Sequence, residues 1–273
     1  MRRRWKEFFL YSIATIIVIV WLVPFFYILM TAVKPNKEFY MYGVFSLPHT
    51  IAWSNFAKAW DKINIYFGNS AVITVISVPL LLLVATLAAY PLARMKFRLN
   101  NAFTLVFLVG FMLPVHVTIF PLFNLFKKLN LLNSYYSLIL TNIAFGLPFT
   151  IYLIRGYFAE IPKDIEEAAR IDGCGSFRIY TSIILPLGKP ALLVATVLNF
   201  MGVWNEFFFA KTFIQDTKRM PVQAGLQSFV EQWSQSYNLM TAGMLISILP
   251  VFILFILFSK YLVAGMAEGA VKG

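Results

Sequence analysis

Residues 161–186 read IPKDIEEAARIDGCGSFRIYTSIILP, an acidic segment in a chain that otherwise carries little charge. Five of the twelve carboxylates lie between Glu160 and Asp172, although charged residues make up only 13% of the 273 residues and hydrophobic residues 60%. Soluble domains are about 25% charged. The composition therefore indicates a protein whose solvent is lipid, with one polar insert near its middle.

Apolar runs on both sides of this insert are long enough to cross a membrane. A helix needs about 20 residues to span the hydrocarbon core, and five uncharged runs exceed that length. A sixth run, from Pro190 to Ala210, contains a single charged residue, Glu206. The sequence therefore predicts an all-α membrane protein. It has one transmembrane domain over 1–273 and six spans, at about 8–33, 70–93, 101–126, 134–155, 189–210 and 239–260.

Basic residues between the runs predict the orientation of the chain. Alternate loops, counted from the N-terminus, carry 14 Lys and Arg in one set and 9 in the other. Because basic loops stay on the cytoplasmic side, both termini and the loop 160–186 are predicted to be cytoplasmic, and the loops 34–68 and 211–238 to lie outside. The net charge of +11 sits at helix ends, where it meets membrane lipid, so no nucleic-acid partner is predicted.

The two outer loops each admit two interpretations. In the first, Trp53, Phe56, Ala57 and Trp60 share one face of a predicted short helix, which either lies in the headgroup region or docks an extracytoplasmic partner. The second loop is rich in amides and aromatic residues, which suit contacts with sugars and proteins but also occur in loops that are merely soluble.

The insert itself predicts a helix, a glycine turn and a second helix. Pro162 suits the first helical position, Gly173 is a stop signal, and Gly175 is expected to allow the turn that follows. The first helix either packs on the protein's own bundle or fits a groove on a cytoplasmic partner. In the first case Ile165, Ala168, Ala169 and Ile171 cover the bundle. In the second, Ala168 and Ala169 allow close approach, Glu167 offers an anchor to a basic group, and Gly173 permits the bend.

The insert also carries a spaced motif. Glu167-Ala168-Ala169 is followed after three residues by Gly173, and after nine more by Ile183-x-Leu185-Pro186. This spacing resembles the signature loop of the membrane subunits of binding-protein-dependent ABC importers. The stretches WNEFFFA (204–210) and GMAEGAVKG (265–273) resemble the carbohydrate-permease branch, which contains the maltose, multiple-sugar and glycerol-3-phosphate permeases. The resemblance implies a type I importer permease fold whose signature loop is a coupling helix.

The same resemblance implies the partners. They are a second homologous permease subunit, two copies of a cytoplasmic ABC ATPase and an extracytoplasmic solute-binding protein, in the cytoplasmic membrane of a bacterium or archaeon. Residues expected to couple to the ATPase are Glu167, Ala168, Ala169, Asp172, Gly173, Ile183, Leu185 and Pro186, with a tail contact through Gly269 and Lys272. No G-x-x-x-x-G-K-[ST] loop occurs, so we expect no catalytic residue, metal or cofactor in this chain, with ATP and Mg bound by the partner subunits.

Polar residues within the fifth span are candidates for the solute passage. Asn199, Trp204, Asn205 and Glu206 could stack on or hydrogen-bond a sugar, or could instead tie the helix to its neighbours. The alternative function is an ion-coupled secondary transporter that uses Glu206 and His116. This alternative leaves the signature loop unexplained. The sequence also does not show the broken helices, paired across the two halves of the chain, that such transporters have. The sequence does not identify the solute.

Overall fold

The computed structural model describes residues 2–43, 46–232 and 236–270, and this part of the chain is helical without strands. The helices are α1 Arg2–Val33, α2 Asn36–Tyr42, α3 Ser54–Arg94, α4 Asn100–Met112, α5 Ile119–Lys128, α6 Tyr135–Glu160, α7 Lys163–Ile171, α8 Ser176–Ile179, α9 Leu185–Leu187, α10 Lys189–Trp204, α11 Phe208–Phe213, α12 Val222–Gln232 and α13 Tyr237–Ala270. Short 3-10 turns cover Val115–Thr118 and Thr217–Arg219, and a π turn covers Tyr180–Ile184.

Four of these helices are individually long and apolar enough to cross a membrane, and two bent pairs raise the number to six. The single helices contain the segments Lys6–Val33, Ser54–Arg94, Tyr135–Glu160 and Tyr237–Lys260. The bent pairs join Asn100–Met112 to Val115–Lys128 at 89° and Ser176–Leu187 to Lys189–Trp204 at 74°. The all-α membrane class predicted from the sequence is therefore confirmed, while the membrane boundaries stay a prediction.

Two predicted spans are interrupted. The run 101–126 breaks at Leu113, whose ψ of 132° is extended because the ring of Pro114 disfavours a helical residue before it. The run 189–210 is helical only to Trp204, and non-helical backbone precedes α11. Both interruptions fall inside apolar stretches that the sequence presents as continuous.

The described residues fall into two units, one made of residues up to Asn64 with Gly225–Leu249 and the other of Ile65–Ala224 with the residues from Pro250. In the first unit the fully buried alanines Ala32, Ala59 and Ala242 form a core, because small side chains let helices approach closely. The Asn55 amide donates to the carbonyls of Ala32 and Lys34 at 2.8 and 2.9 Å. The helix predicted near Trp53 is the start of α3, which continues without a break to Arg94.

The second unit is built around α6. Its buried face, with Ile151, Ile154 and Phe158, packs against Leu81 and Ala85 of α3. The same cluster receives Ile179, Tyr180 and Ile184 from the π turn and the residue before it. The Tyr180 hydroxyl donates to the Thr86 hydroxyl at 2.8 Å. Both ends of the acidic insert are therefore anchored in the core, since Ile161 and Ala169 belong to the same cluster.

A sharp corner joins α9 to α10 at Gly188. A Cβ atom at this position would lie 2.4 Å from Cε1 of Phe158 and 3.0 Å from the carbonyl oxygen of Ile184. Only glycine fits this corner without displacing the ring or the backbone.

Candidate functional site

The acidic insert begins with α7, whose start differs by one residue from the prediction. Pro162 has an extended backbone with ψ of 133° and forms the N-cap, so the helix starts at Lys163. Asp164 and Glu166 lie in the first turn, where negative charge interacts favourably with the helix dipole.

The turn after α7 is a complete Schellman motif. Gly173 has a φ of +80°, as the sequence predicted, and its N–H donates to the carbonyl of Arg170 at 3.0 Å. The Cys174 N–H donates to the carbonyl of Ala169 at 2.9 Å. The expectation for Gly175 is wrong, because its φ of −71° and ψ of 160° are extended backbone that any residue adopts. One glycine is therefore enough to turn the chain.

The outer face of α7 and of the following turn is exposed. At the end of α7, Ile171 is 88% exposed, and Glu167, Ala168 and Asp172 are exposed as well, while Phe177 of α8 is 73% exposed. Among the residues considered for packing on the protein's own bundle, only Ala169 is buried. Large apolar side chains beside a carboxylate mark an interaction surface better than a cap on the core.

Ile183, Leu185 and Pro186 lie apart from this exposed face. Ile183 and Leu185 are half-buried and pack against the core cluster around α6, and Pro186 is exposed in α9. The structure thus divides the predicted coupling residues into an exposed group, which includes Glu167, Ala168 and Asp172, and a group packed on the core, which consists of Ala169, Ile183 and Leu185.

Glu166 and Arg94 form a buried ion pair that the sequence did not reveal. The side chains of Arg94 and Glu166 are 2% and 6% exposed, and the Arg94 Nε donates to Glu166 Oε1. Arg94 Nη1 also donates to the carbonyl of Ile161 at 2.8 Å and to that of Phe158 at 3.3 Å. The only local signal that one of these carboxylates faces inward is that Glu166 and Glu167 are neighbours on one helix, so their side chains point in directions about 100° apart.

The passage candidates separate into two groups. Asn199, Asn205 and Glu206 line one cavity of about 370 Å³ together with His116 and Asn142, and we call it the polar cavity for these side chains, although most of its lining is apolar. Trp204 does not join them. Its ring is 2% exposed, stacks on Phe200 with 5.6 Å between centroids and lines a separate apolar cavity.

Hydrogen bonds define what the cavity's polar groups do. The two Glu206 carboxylate oxygens accept from the backbone N–H groups of Phe209 and Ala210 at 2.7 and 2.9 Å, so this carboxylate caps α11. The Asn199 amide nitrogen donates to the Thr150 hydroxyl and the Ala195 carbonyl, both at 2.8 Å. The Asn205 amide oxygen accepts from Gln223 at 3.1 Å. These bonds support the interpretation that the polar residues tie helices together.

The tail contact is described only in part. Gly269 lies in the last turn of α13, and Lys272 is outside the described residues. Within the described part of the chain, no three His, Cys, Asp or Glu side chains gather as a metal site would require.

Comparisons with known proteins agree with these features. Residues 81–268 match the model of the family described as binding-protein-dependent transport system inner membrane component. The chain is 38% identical to the probable ABC transporter permease YurM of Bacillus subtilis, over 98% of this chain and 88% of that protein. It is 32% identical to the melibiose/raffinose/stachyose import permease MelC of the same organism, over 96% and 95%.

A solved structure shows the same fold. A chain of a bacterial ABC transporter involved in the import of the acidic polysaccharide alginate superposes with a TM-score of 0.81 at 25% identity, covering 94% of this chain and 96% of that one. The family consists of transport permeases and not of enzymes. This chain belongs to the family of inner membrane components of binding-protein-dependent transport systems.

Proposed function

We propose that this chain is the membrane-spanning subunit of an ATP-driven importer for a sugar or oligosaccharide, and that α7 couples it to a separate ATPase. The observation that carries the coupling role is the exposed face of α7 with Glu167, Ala168 and Ile171, which we propose as its docking face. The sugar class is supported by the relatives, which include permeases named for melibiose, raffinose and stachyose and for arabinooligosaccharides.

The length of α7 and the Schellman turn at its end both support its docking on a partner. A helix of nine residues is marginal by itself and gains stability from a surface that covers it. The Schellman turn fixes its end, so the helix is presented in one orientation. Glu167 offers an anion to a basic group of the ATPase, and Ala168 permits close approach.

The remaining partners follow from the family. A second homologous permease and two ATPase subunits, which bind ATP and Mg, complete the transporter, and an outer solute-binding protein delivers the solute. Residues 6–30 of α1, none of which is buried in this chain, are available to lipid or to the second permease. Both termini are proposed to be cytoplasmic, and the tail around Gly269 to contact the ATPase pair.

The outer binding protein is proposed to dock on the described parts of 34–68 and 211–238. In α12 the buried Val222, Ala224 and Phe229 fix the helix, which leaves Gln227 exposed. Substitution of Gln227 is therefore a better test of docking than a deletion, because a deletion would remove a packed turn.

The polar cavity is proposed as this chain's part of the solute passage. Val115 and His116 follow one interrupted helix, and Asn205 and Glu206 follow another, and all four line this cavity. Irregular backbone at membrane depth is tolerated where it lines a water-filled cavity. Because both Glu206 oxygens are engaged in capping α11, the contacts favour a structural role for Glu206 over a proton relay with His116.

The coupling role is tested by co-purification of the ATPase from detergent-solubilised complex. Glu167→Lys should release the ATPase, because it places a cation where the partner is expected to be basic. Loss of one member of such an interface pair typically costs about 2–5 kcal/mol. Arg178→Glu, also exposed but beyond the Schellman turn, is the matched control and should retain the ATPase. Wild-type retention and transport by Glu167→Lys would show that α7 is not the docking helix.

A further inference from the structure

The guanidinium of Arg94 joins three elements of the second unit. Arg94 is in the last turn of α3, and its side chain donates to the Glu166 carboxylate of α7. It also donates to the carbonyl oxygens of Phe158 and Ile161 at the C-terminal end of α6, at 3.3 and 2.8 Å. A fourth bond, to the carbonyl of Pro162 at 3.4 Å, reaches the N-cap of α7.

Burial makes this arrangement demanding. Both side chains are almost fully shielded from water, and a buried pair adds little stability over well-packed apolar residues, because desolvation offsets the attraction. Removing one partner, by contrast, leaves a buried charge unpaired. The pair therefore adds little to the stability of the fold, but it resists separation of α3 from α7. Pulling the two side chains apart would leave each charge unpaired in an apolar environment.

The orientation of α7 follows from which carboxylate is used. Glu166 faces inward to Arg94, while its neighbour Glu167 is exposed on the docking face. The ion pair of Glu166 with Arg94 therefore provides a direct polar connection from α7 to α3 and α6, beside the apolar contact of Ala169 with the same cluster. Arg170 also approaches Glu166, at 3.9 Å, but it is 55% exposed and contacts no carbonyl of α6 among the hydrogen bonds described.

We infer that Arg94 and Glu166 are positioning residues that transmit movement of α7 to α3 and α6. This inference rests on the proposed function, in which α7 is the coupling helix. Glu167 holds the ATPase, and the buried pair converts the movement of α7 into movement of α3 and of α6, which lines the polar cavity. Docking and transmission are thus assigned to adjacent residues of one helix, whose side chains point in different directions.

The test separates ATPase binding from transmission in the assembled transporter, reconstituted with its partner permease and ATPases. Leu198 lines the polar cavity and is exposed, so Leu198→Cys in a Cys174→Ala background reports access to a water-soluble maleimide. Labelling rates are compared without nucleotide and with ATP and vanadate. In the reference protein the rate should change with nucleotide, and an unchanged rate would count against alternating access and hence against the proposed function.

Glu166→Gln should retain the ATPase and its hydrolysis, yet reduce the nucleotide-dependent change in labelling roughly fivefold or more, as expected when two linked sites lose their coupling. The matched control is Asp164→Asn, which alters an exposed acid of the same helix and should label like the reference. A reference-like change in Glu166→Gln, or loss of the ATPase from it, would overturn the inference.

A second variant guards against misfolding. Arg94→Met combined with Glu166→Met removes both charges at once and keeps apolar bulk, which buried pairs often tolerate. If the two residues act as one unit, the double variant should accumulate and be uncoupled to the same extent as Glu166→Met alone, because effects within one network do not add. Reference-like coupling in the double variant would refute transmission through this pair.

Discussion

The conformation of Gly173 leads to a sharp prediction about the end of the coupling helix. Its φ is +80°, and a Cβ atom added there meets nothing within 4 Å. Any cost of a substitution therefore comes from the backbone and not from a clash. The left-handed conformation costs about 1–2 kcal/mol for an L-residue, and about 3 kcal/mol is the upper end for a strained residue such as valine.

This cost should appear as opening of the Schellman turn. A penalty of about 1–2 kcal/mol corresponds to roughly 5- to 30-fold more frequent opening, since every 1.4 kcal/mol is tenfold. In Gly173→Ala the amide of Cys174, which donates to Ala169 at 2.9 Å, should exchange with solvent faster by that factor. Gly173→Asn should exchange less quickly than Gly173→Ala, because asparagine tolerates this conformation better.

Hydrogen exchange followed by mass spectrometry over 163–178 provides the assay. Gly175→Ala is the matched control, because Gly175 has a φ of −71° and open space around it. In the assembled transporter, Gly173→Val should keep part of its ATPase but transport less solute per ATP. Equal exchange in the alanine variants at 173 and 175 would refute the reasoning, as would wild-type exchange in Gly173→Ala.

Three further predictions concern the rest of the chain. Gly146→Ala should lower the free energy of unfolding by about 1–3 kcal/mol, because its Cβ atom would lie 2.2 Å from Cδ1 of Leu81. In Gly156→Ala the added Cβ atom meets nothing within 4 Å, so this control should not lower the melting temperature. Glu206→Ala should cost about 1 kcal/mol through loss of the cap on α11, and an unchanged melting temperature would contradict that role. The Thr50 hydroxyl, which donates to the Glu38 carboxylate at 2.6 Å, holds the pKa of Glu38 below its ordinary value of 4.5. The ionised Glu38 carboxylate therefore contributes fully to stability above pH 4.5, and this contribution is lost as the pH falls through the lowered pKa. The melting temperature of the wild type should then fall towards that of Glu38→Gln in acid. Parallel pH profiles of the two proteins would contradict this.

Local signals in the sequence are sufficient to predict the membrane-spanning helices and the turn at Gly173. Runs of apolar residues predict helices because nothing else satisfies the backbone in lipid, and a glycine after an amphipathic helix predicts a left-handed cap. Neighbouring signals of the same kind were misleading. Gly175 is extended, and Pro114 ends a helix although Pro79 and Pro148 lie inside continuous ones.

The site depended on contacts that local patterns do not encode. Arg94 and Glu166 are 72 positions apart, and the sequence presents Arg94 only as one of several basic residues between two apolar runs. Trp204 belongs to the same short motif as Asn205 and Glu206, but the helix ends between them, so its ring faces a different cavity. Which way a side chain points at a helix end depends on tertiary packing, and one sequence does not specify it.

The corner at Gly188 gives the entry into α10 the character of a fixed elbow. Because a Cβ atom at Gly188 would lie too close to Phe158 and Ile184, the corner is closely packed, and we expect α9 and α10 to tilt together. A helix of 16 residues is about 24 Å long, so a tilt of about 10° at the elbow would carry its far end through about 4 Å. That end adjoins Asn205 and the polar cavity. A small tilt at the corner is therefore amplified into a larger displacement of the end of α10 that adjoins the cavity.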